Sequence, residues 1–409
     1  MGGENWPLVP LGELTENLDG QRVPVKESER KPGPYPYYGA SGIVDRVDGY
    51  IFDGEFLLIG EDGENLRTRQ TPIAFIATGK FWVNNHAHIV RGNHRADTRF
   101  LSYALSRTEI SGYLTGSTMP KLTQGNLNRL PVIAPPLAEQ KAIATVLGAL
   151  DDKIELNRKM NATLEAMARA LFKSWFVDFE PVRAQADGRK PQGMDEATAR
   201  LFPDSFQKSE LGHIPKGWRF SSIYEISDVI YGAPFASKQF NTNHEGKPLI
   251  RIRDLSDESP GVWTPEFHPK GYTVKPGDIV VGMDGEFRAY LWGGVPAWLN
   301  QRVCVFAPKP GYSAVFVRNS IIEPLAKVEA TETATTVIHL GKNDIDQFKV
   351  MLPPPEISQV FAKICQPWYE LIVFNKQQSR TLTSLRDALL PKLLSGELNV
   401  DKIKDGLVA

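Results

Sequence analysis

The sequence predicts a mixed α/β (α+β) fold built twice. Two similar globular units are expected, separated by two long antiparallel coiled-coil-like helices, in an internal pseudo-twofold repeat. The first observation behind this is self-similarity. Trp6, Leu11, Glu13 and Leu14 match Trp218, Ile223, Glu225 and Ile226 at a constant offset of 212. Leu122, Leu127, Leu130, Val132, Pro135 and Pro136 match Leu340, Ile345, Phe348, Val350, Pro353 and Pro354 at an offset of 218, which continues through Ile154/Ile372, Asn157/Asn375, Leu164/Leu382 and Leu171/Leu389. Such a fixed period marks a duplicated unit. The second is a heptad seam after each Pro-Pro pair, with apolar residues at alternating spacings of three and four. The third is a series of short β-type runs between turn dipeptides in both globular segments.

Taken in order, residues 1–136 form the first globular unit. Its β-type runs are Tyr50–Phe52, Phe56–Ile59, Ile73–Ala77 and Ala87–Val90, with a helix over Thr98–Thr108. Asp53-Gly54 and Asp62-Gly63 read as turns, as does Asp284-Gly285 in the second copy. Residues 137–179 form the first spacer helix, with Leu147, Leu150, Ile154, Asn157, Leu164 and Leu171 on its seam, together with Asn161, Ala168 and Trp175. Residues 180–217, rich in Pro, Gly and charge, read as a connector with at most a short helix near Glu196 to Leu201. Residues 218–353 form the second globular unit, with β-type runs at Leu249–Ile252, Asp278–Val281 and Val303–Phe306. Residues 354–397 form the second spacer helix, with Cys365, Trp368, Ile372, Asn375, Ser379, Leu382, Leu389 and Leu393 on the seam and Arg386 as a charged exception. Each seam runs about 42 Å at 1.5 Å per residue, and two such seams bury themselves most economically on each other. Asn157 and Asn375 stand at equivalent positions, where a polar residue costs stability but fixes register. Gly396 is a helix stop, and residues 398–409 are a tail.

The 409 residues exceed one small domain. Apolar residues at 42% and charged residues at 23% exclude global disorder. No apolar run approaches the ~18 residues of a membrane helix, and Pro7 and Pro10 interrupt an N-terminus unlike a signal peptide. Cys304 and Cys365 form no CxxC pair, so a zinc ribbon or disulfide scaffold is not expected and a cytoplasmic location fits best. With 47 Lys+Arg against 48 Asp+Glu the chain is no polybasic binder.

Catalytic signatures are missing. Gly79-Lys80 is followed by Phe81 and Gly341-Lys342 by Asn343, so there is no P-loop; HExxH and GxSxG are also absent. Asp278, Asp284 and Glu286 could hold a metal for nuclease chemistry, but Asp62-Gly63-Glu64 repeats Asp284-Gly285-Glu286, and a repeated turn explains both. His86 and His88 alternate along a strand, which places one inside and one outside.

Two similar heads on a paired spacer act as a caliper, and duplex DNA makes site separation a geometric variable. The heads carry little positive charge: residues 1–136 hold 14 Lys+Arg and 15 Asp+Glu, and residues 220–352 hold 13 and 15. Phosphate attraction by the isolated chain is therefore expected to be modest, and discrimination to come from groups that pair with base edges. The candidates for DNA contact are Lys80, Asn84, Asn85, His86, Ser117, Thr118 and Lys121 in the first head. In the second they are Arg251, Arg253, Arg288, Asn300, Gln301, Arg302, Thr335, Thr336 and Lys342.

The repeat, Gly116 to Leu122 (GSTMPKL), Leu130 to Gln140 (LPVIAPPLAEQ) and Leu389 to Leu398 (LLPKLLSGEL) resemble the specificity (S) subunit of type I restriction-modification systems. So do Tyr38 to Gly42 (YGASG), Phe75 to Gly79 (FIATG) and Leu201 to Ser205 (LFPDS). Met119 departs from the polar residue common in its loop. The resemblance covers essentially the whole chain. It implies a subunit without catalysis of its own, whose two target-recognition domains, residues 1–136 and 218–353, each read half of a bipartite, asymmetric sequence in double-stranded DNA. The helices would set the spacer and dock two methyltransferase subunits that methylate adenine, and restriction/translocase subunits would join them. S-adenosylmethionine, ATP and Mg would then sit on the partners, with no cofactor or metal on this chain. Two other classes stand beside this reading: a self-sufficient DNA nuclease and a protein-binding scaffold.

Overall fold

The computed structural model describes residues 6–210, 212–331 and 339–400. The chain divides into two compact units, residues 1–153 with 381–409, and residues 154–380.

In the first unit the elements are β1 (Leu8–Pro10), α1 (Leu11–Leu14), β2 (Thr15–Asn17), β3 (Pro32–Gly39), β4 (Gly42–Val47), β5 (Phe52–Gly60), α2 (Asn65–Thr68), β6 (Ala74–Val83), β7 (Ala87–Gly92), α3 (Thr98–Arg107), α4 (Gln124–Arg129), β8 (Pro131–Ile133) and the start of α5 (Leu137–Phe176). A six-stranded sheet has the order β2-β7-β5-β6-β3-β4, and β1 pairs with β8. Asp97 starts α3 by accepting from the Phe100 amide at 2.9 Å, an N-cap that satisfies a donor the helix cannot. Leu57, Ile59, Phe100, Leu101 and Leu105 close a core with Ile143 and Leu147 of α5. Each such buried side chain contributes roughly 1.5–3 kcal/mol. Asp53-Gly54 is not a turn, contrary to expectation. The pair lies inside β5, with Gly54 opposite Gly79. Both glycines take positive φ (139° and 74°), so the dipeptide bends a ladder instead of ending it.

In the second unit α6 (Glu180–Ala186), α7 (Glu196–Ala199), β9 (Phe206–Ser209) and β10 (Gly212–Pro215) precede β11 (Arg219–Ser222), β12 (Ser227–Tyr231), β13 (Lys247–Ile250), β14 (Trp263–Thr264), β15 (Thr273–Val274), β16 (Ile279–Gly282), β17 (Ala289–Leu291), β18 (Ala297–Leu299), β19 (Val303–Pro308), α8 (Ala314–Thr331), α9 (Lys342–Asp346), β20 (Lys349–Leu352) and α10 (Pro355–Leu394). The sheet β12-β19-β16-β17 repeats the order β2-β7-β5-β6, and the pair β11-β20 repeats β1-β8. Where β6 is continuous, its counterpart is broken into β17 and β18. Gly293 and Gly294 lie at the break, where an added Cβ would come within 2.6 Å of the Lys376 side chain and 2.5 Å of Trp292. The region 180–217 holds more structure than the single short helix expected, namely α6, α7 and the hairpin β9-β10. Its apolar residues explain this: Phe179 and Phe202 pack on Trp218 at ring distances of 5.8 and 6.3 Å.

Helices α5 and α10 each have 40 residues, about 60 Å of helix. In the second unit they run antiparallel. Asn157 faces Asn375 and Ser379, Asn161 faces Ile372, and Phe172 and Trp175 meet Phe361. Asn157 is fully buried and donates to the Asn375 carbonyl (3.3 Å), Gln378 Oε1 (2.9 Å) and Ser379 Oγ (3.2 Å), while Asn375 donates to Asn161 Oδ1 at 2.9 Å. In the first unit Arg386 donates to Asp151 Oδ1 at 2.7 Å, so the charged seam position carries an ion pair. Leu147, Ile372 and Leu393 are buried; Leu150, Ile154, Leu164, Leu171, Trp368, Leu382 and Leu389 are half-buried. Gly396, at φ 71°, lies just past the end of α10. Both cysteines are free and buried, and burial pushes their thiols up to about 12. Among the described residues no helix is long and apolar enough to cross a membrane.

Candidate nucleic-acid interface

The first unit gathers six of its seven candidate DNA contacts around one turn. Strand β6 ends at Val83, and Asn84, Asn85 and His86 form the link to β7. The Asn84 amide donates to the Tyr38 carbonyl at 3.0 Å. Its side-chain oxygen accepts from the His86 amide at 2.8 Å, so Asn84 shapes the turn while Asn85 and His86 face solvent. Asp62 holds the imidazole, with Nδ1 2.8 Å from Oδ2. The loop 115–121 closes beside them through an antiparallel bridge between Asp62 and Lys121. Arg67 donates to the Gly116 and Ser117 carbonyls at 3.2 and 3.4 Å. Gly116 is required here: at φ 85° an added Cβ would stand 2.2 Å from the Met119 carbonyl oxygen. Ser117, Thr118, Met119 and Lys121 are exposed. Lys80 lies apart, four residues up β6, with its ammonium 4.6 Å from the Tyr50 ring centre. A bond with the Tyr50 hydroxyl raises its pKa.

A charged network that the sequence did not single out supports this turn. Buried His88 places Nδ1 2.6 Å from Asp19 and Nε2 2.7 Å from the Leu122 carbonyl. Arg22 donates to Glu61 at 2.7 Å and to the Ala87 carbonyl at 2.9 Å, and Lys121 sits 3.1 Å from Glu61. Burial alone would raise the Asp19 carboxyl. The His88 and Ile89 bonds and the Arg22 charge outweigh it and hold the group below its ordinary value. At Glu61 burial again pushes the carboxyl up, and the bonds from Arg22 and Lys121 outweigh it and hold the group below its ordinary value.

In the second unit the link from β18 to β19 is Asn300, Gln301 and Arg302. The Asn300 amide donates to the Ile250 carbonyl at 3.2 Å. Arg302 Nη1 lies 3.5 Å from Asp284 Oδ1 and 3.3 Å from His339 Nδ1, and His339 Nδ1 lies 2.7 Å from Asp284. Arg253 is exposed. Arg251 folds back on Asp254 at 3.1 Å, Arg288 pairs with Glu286 at 2.6 Å, and Lys342 pairs with Asp346 at 2.8 Å. Thr335 and Thr336 lie outside the described residues. The carboxylates considered for a metal do not converge. Asp284 and Glu286 are engaged as above, and Asp278, raised by burial, accepts from the Lys275 amide and Tyr272 hydroxyl. Among the described residues no group of three metal-ligating side chains could hold an ion.

The second unit also holds a cavity of ≈ 910 Å³ with an apolar floor that includes Phe172, Phe176, Phe220 and Val350 and a mainly basic rim of Arg169, Lys173, His213, Lys327 and Lys349. On the helices, Leu156, Met167, Ile364, Leu371, Phe374 and Leu385 are exposed. The four on α10 recur at spacings of seven, three and eleven, which is one stripe of a helix.

Each unit thus carries the same turn, with an exposed amide and a basic side chain, so the chain is a two-copy protein with one site geometry used twice. A family model described as the type I restriction modification DNA specificity domain matches residues 3–166 and again 215–384. The chain belongs to that family: it is a specificity subunit with two target-recognition domains and no catalysis of its own. The MjaIX specificity subunit of Methanocaldococcus jannaschii is 26% identical over 429 residues, spanning 98% of this chain and 95% of that one. The HindI specificity subunit of Haemophilus influenzae is 25% identical over 402 residues, spanning 85% and 84%. The crystal structure of a type I restriction-modification S subunit from M. genitalium shares the fold, with a TM-score of 0.59 and 15% identity over 96% of this chain and 99% of that one. Neither a nuclease nor a protein scaffold is supported.

Proposed function

We propose that each target-recognition domain reads one half of a bipartite, asymmetric site in double-stranded DNA, that α5 and α10 set the number of base pairs between the halves, and that two methyltransferase subunits dock on these helices. In this reading S-adenosylmethionine belongs to those partners, and ATP and Mg to restriction/translocase subunits that join them. The observation that carries it is the repeated turn: one backbone arrangement presents Asn85 and His86 in one unit and Gln301 and Arg302 in the other. Equal frames with unequal side chains suit two different half-sites. The test is methylation mapping in cells with and without this chain. A methylated bipartite motif that depends on the chain supports the reading; methylation unchanged by its loss refutes it.

Spacer length supplies a second test. Asn157 is locked to Asn375, Gln378 and Ser379, so a heptad inserted in one helix alone would break register. One heptad added to each helix, after Lys153 and after Arg380, lengthens each rod by about 10 Å. The gap between half-sites is expected to grow by about three base pairs with the bases of both halves unchanged. Altered half-site bases with an unaltered gap would count against the helices as the spacer.

Partner docking is assigned to the exposed apolar stripe on α10. Phe374→Asp, at a position 57% exposed, is expected to weaken binding of the methyltransferase subunit at least ~10-fold by placing a charge in a desolvated contact. Thermal stability of the free chain should hold. Equal affinity in a pull-down titration would place the partner elsewhere.

A further inference from the structure

The two turns are the same device with different side chains, and three pairs of backbone bonds show it. Asn84 donates to the Tyr38 carbonyl at 3.0 Å, as Asn300 does to Ile250 at 3.2 Å. Glu61 donates to the His86 carbonyl at 2.9 Å, as Met283 does to Arg302 at 2.9 Å. Leu122 donates to the Glu61 carbonyl at 2.8 Å, as Leu340 does to Met283 at 2.8 Å. Beneath the turns the side chains differ: Glu61 and His88 of the first unit stand where the second has Met283 and Cys304. The two units therefore keep one backbone frame while supporting it with different side chains.

The three turn positions divide the work in the same way in both units. Asn84 and Asn300 are each 8% exposed and belong to the frame. Asn85 and Gln301 are exposed amides. His86 and Arg302 are basic side chains about half exposed (54% and 55%), each beside the carboxylate of an Asp-Gly turn, Asp62 or Asp284. Neither the amide nor the basic group fills a core. A carboxylate at the base of an exposed arginine restricts its rotamers and reduces the ordering cost of a bidentate contact. Among the described residues the side-chain bonds of Arg302 all use Nη1, which leaves Nε and Nη2 for a bidentate contact.

Resting on the reading of the chain as a two-domain DNA reader, we infer that Asn85-His86 and Gln301-Arg302 are the base-reading pairs, one for each half-site. The chemistry of each group names its target. Arg302 matches the O6 and N7 acceptors of a guanine in the major groove, and the Gln301 amide matches the N6 and N7 edge of an adjacent adenine. In the first unit the Asn85 amide has the same match to adenine. His86, with Nδ1 donating to Asp62, leaves Nε2 as an acceptor for a base donor such as an exocyclic amino group of cytosine or adenine, so the two domains read different bases through one geometry.

The test uses the full chain assembled with its methyltransferase subunit and a duplex library randomised in both half-sites. Arg302→Ala is expected to lower the preference for guanine at a single position of one half-site by about 5- to 150-fold, with the other half-site untouched. Gln301→Ala, at an exposed position, should relax only the neighbouring position. The exchange Asn85→Gln with His86→Arg should give the first unit's half-site the preference of the second unit's turn. A wild-type complex that selects a bipartite site while all three variants select the same site, or lose affinity equally for every sequence, overturns the inference. A wild-type complex with no bipartite preference removes the underlying reading, and the inference with it.

Discussion

Arg318→Ala is expected to destabilise the 154–380 unit by about 3–5 kcal/mol, the usual cost of breaking a buried ion pair by removing one partner. Arg318 lies on α8 and is 8% exposed. It donates to the Ala289 carbonyl at 2.7 Å, the Tyr369 hydroxyl at 3.1 Å and Glu165 Oε2 at 3.2 Å. One side chain thus ties a recognition-domain strand and α8 to both α5 and α10. Truncation leaves the Ala289 carbonyl without this donor and Glu165 without its counter-charge; Asn319 still donates to the Tyr369 hydroxyl at 3.2 Å. Arg318→Met combined with Glu165→Gln should recover part of the loss, because the uncompensated charge is gone while volume is kept. Denaturant titrations of the full chain check this. A single-variant loss below ~1 kcal/mol would show that the network is not holding the unit together.

Asp19→Asn is expected to cost the other unit about 3–5 kcal/mol at neutral pH on the same grounds, and the loss should depend on pH. Asp19 accepts from the Ile89 amide at 2.8 Å and stands 2.6 Å from His88. Its folded-state pKa lies below the ordinary 3.8. A depressed carboxylate contributes stability that is fully present above the unfolded value and fades as pH falls through the folded one. The difference between wild type and Asp19→Asn should therefore hold from pH 7 to about 5 and shrink below about 4. Unfolding midpoints measured over that range decide it, and a difference flat with pH would be inconsistent with an ionised Asp19. Because His88 also bonds the Leu122 carbonyl next to the 115–121 loop, the variant should loosen that loop as well.

The duplication was legible in the sequence because both copies keep apolar residues at matching core positions, from Leu122/Leu340 to Val132/Val350, all now buried. The turn residues Asn84 to His86 and Asn300 to Arg302 were legible as clustered amides and bases. What sets them in place was not. Asp19, Arg22 and Glu61 come from positions 27 to 69 residues away from His88 along the chain, and a lone Asp or Arg carries no local sign of burial. Asp53-Gly54 misled because a turn dipeptide and a bent ladder need the same glycine freedom. The division of β17 from β18 carried no local sign, since the Lys376 side chain that crowds Gly293 at the break comes from a distant helix. Within residues 180–217, prolines and charges hid the few aromatic side chains that dock the segment.

The first unit closes its core with Leu393, Leu394 and Val400, residues near the end of the chain, whereas residues 154–380 form an uninterrupted stretch. During synthesis the 154–380 unit therefore has all its parts first, and the unit begun earlier waits for residues made after Arg380. A chain cut back to residue 385 should expose residues 1–153 to proteases while residues 154–380 resist them.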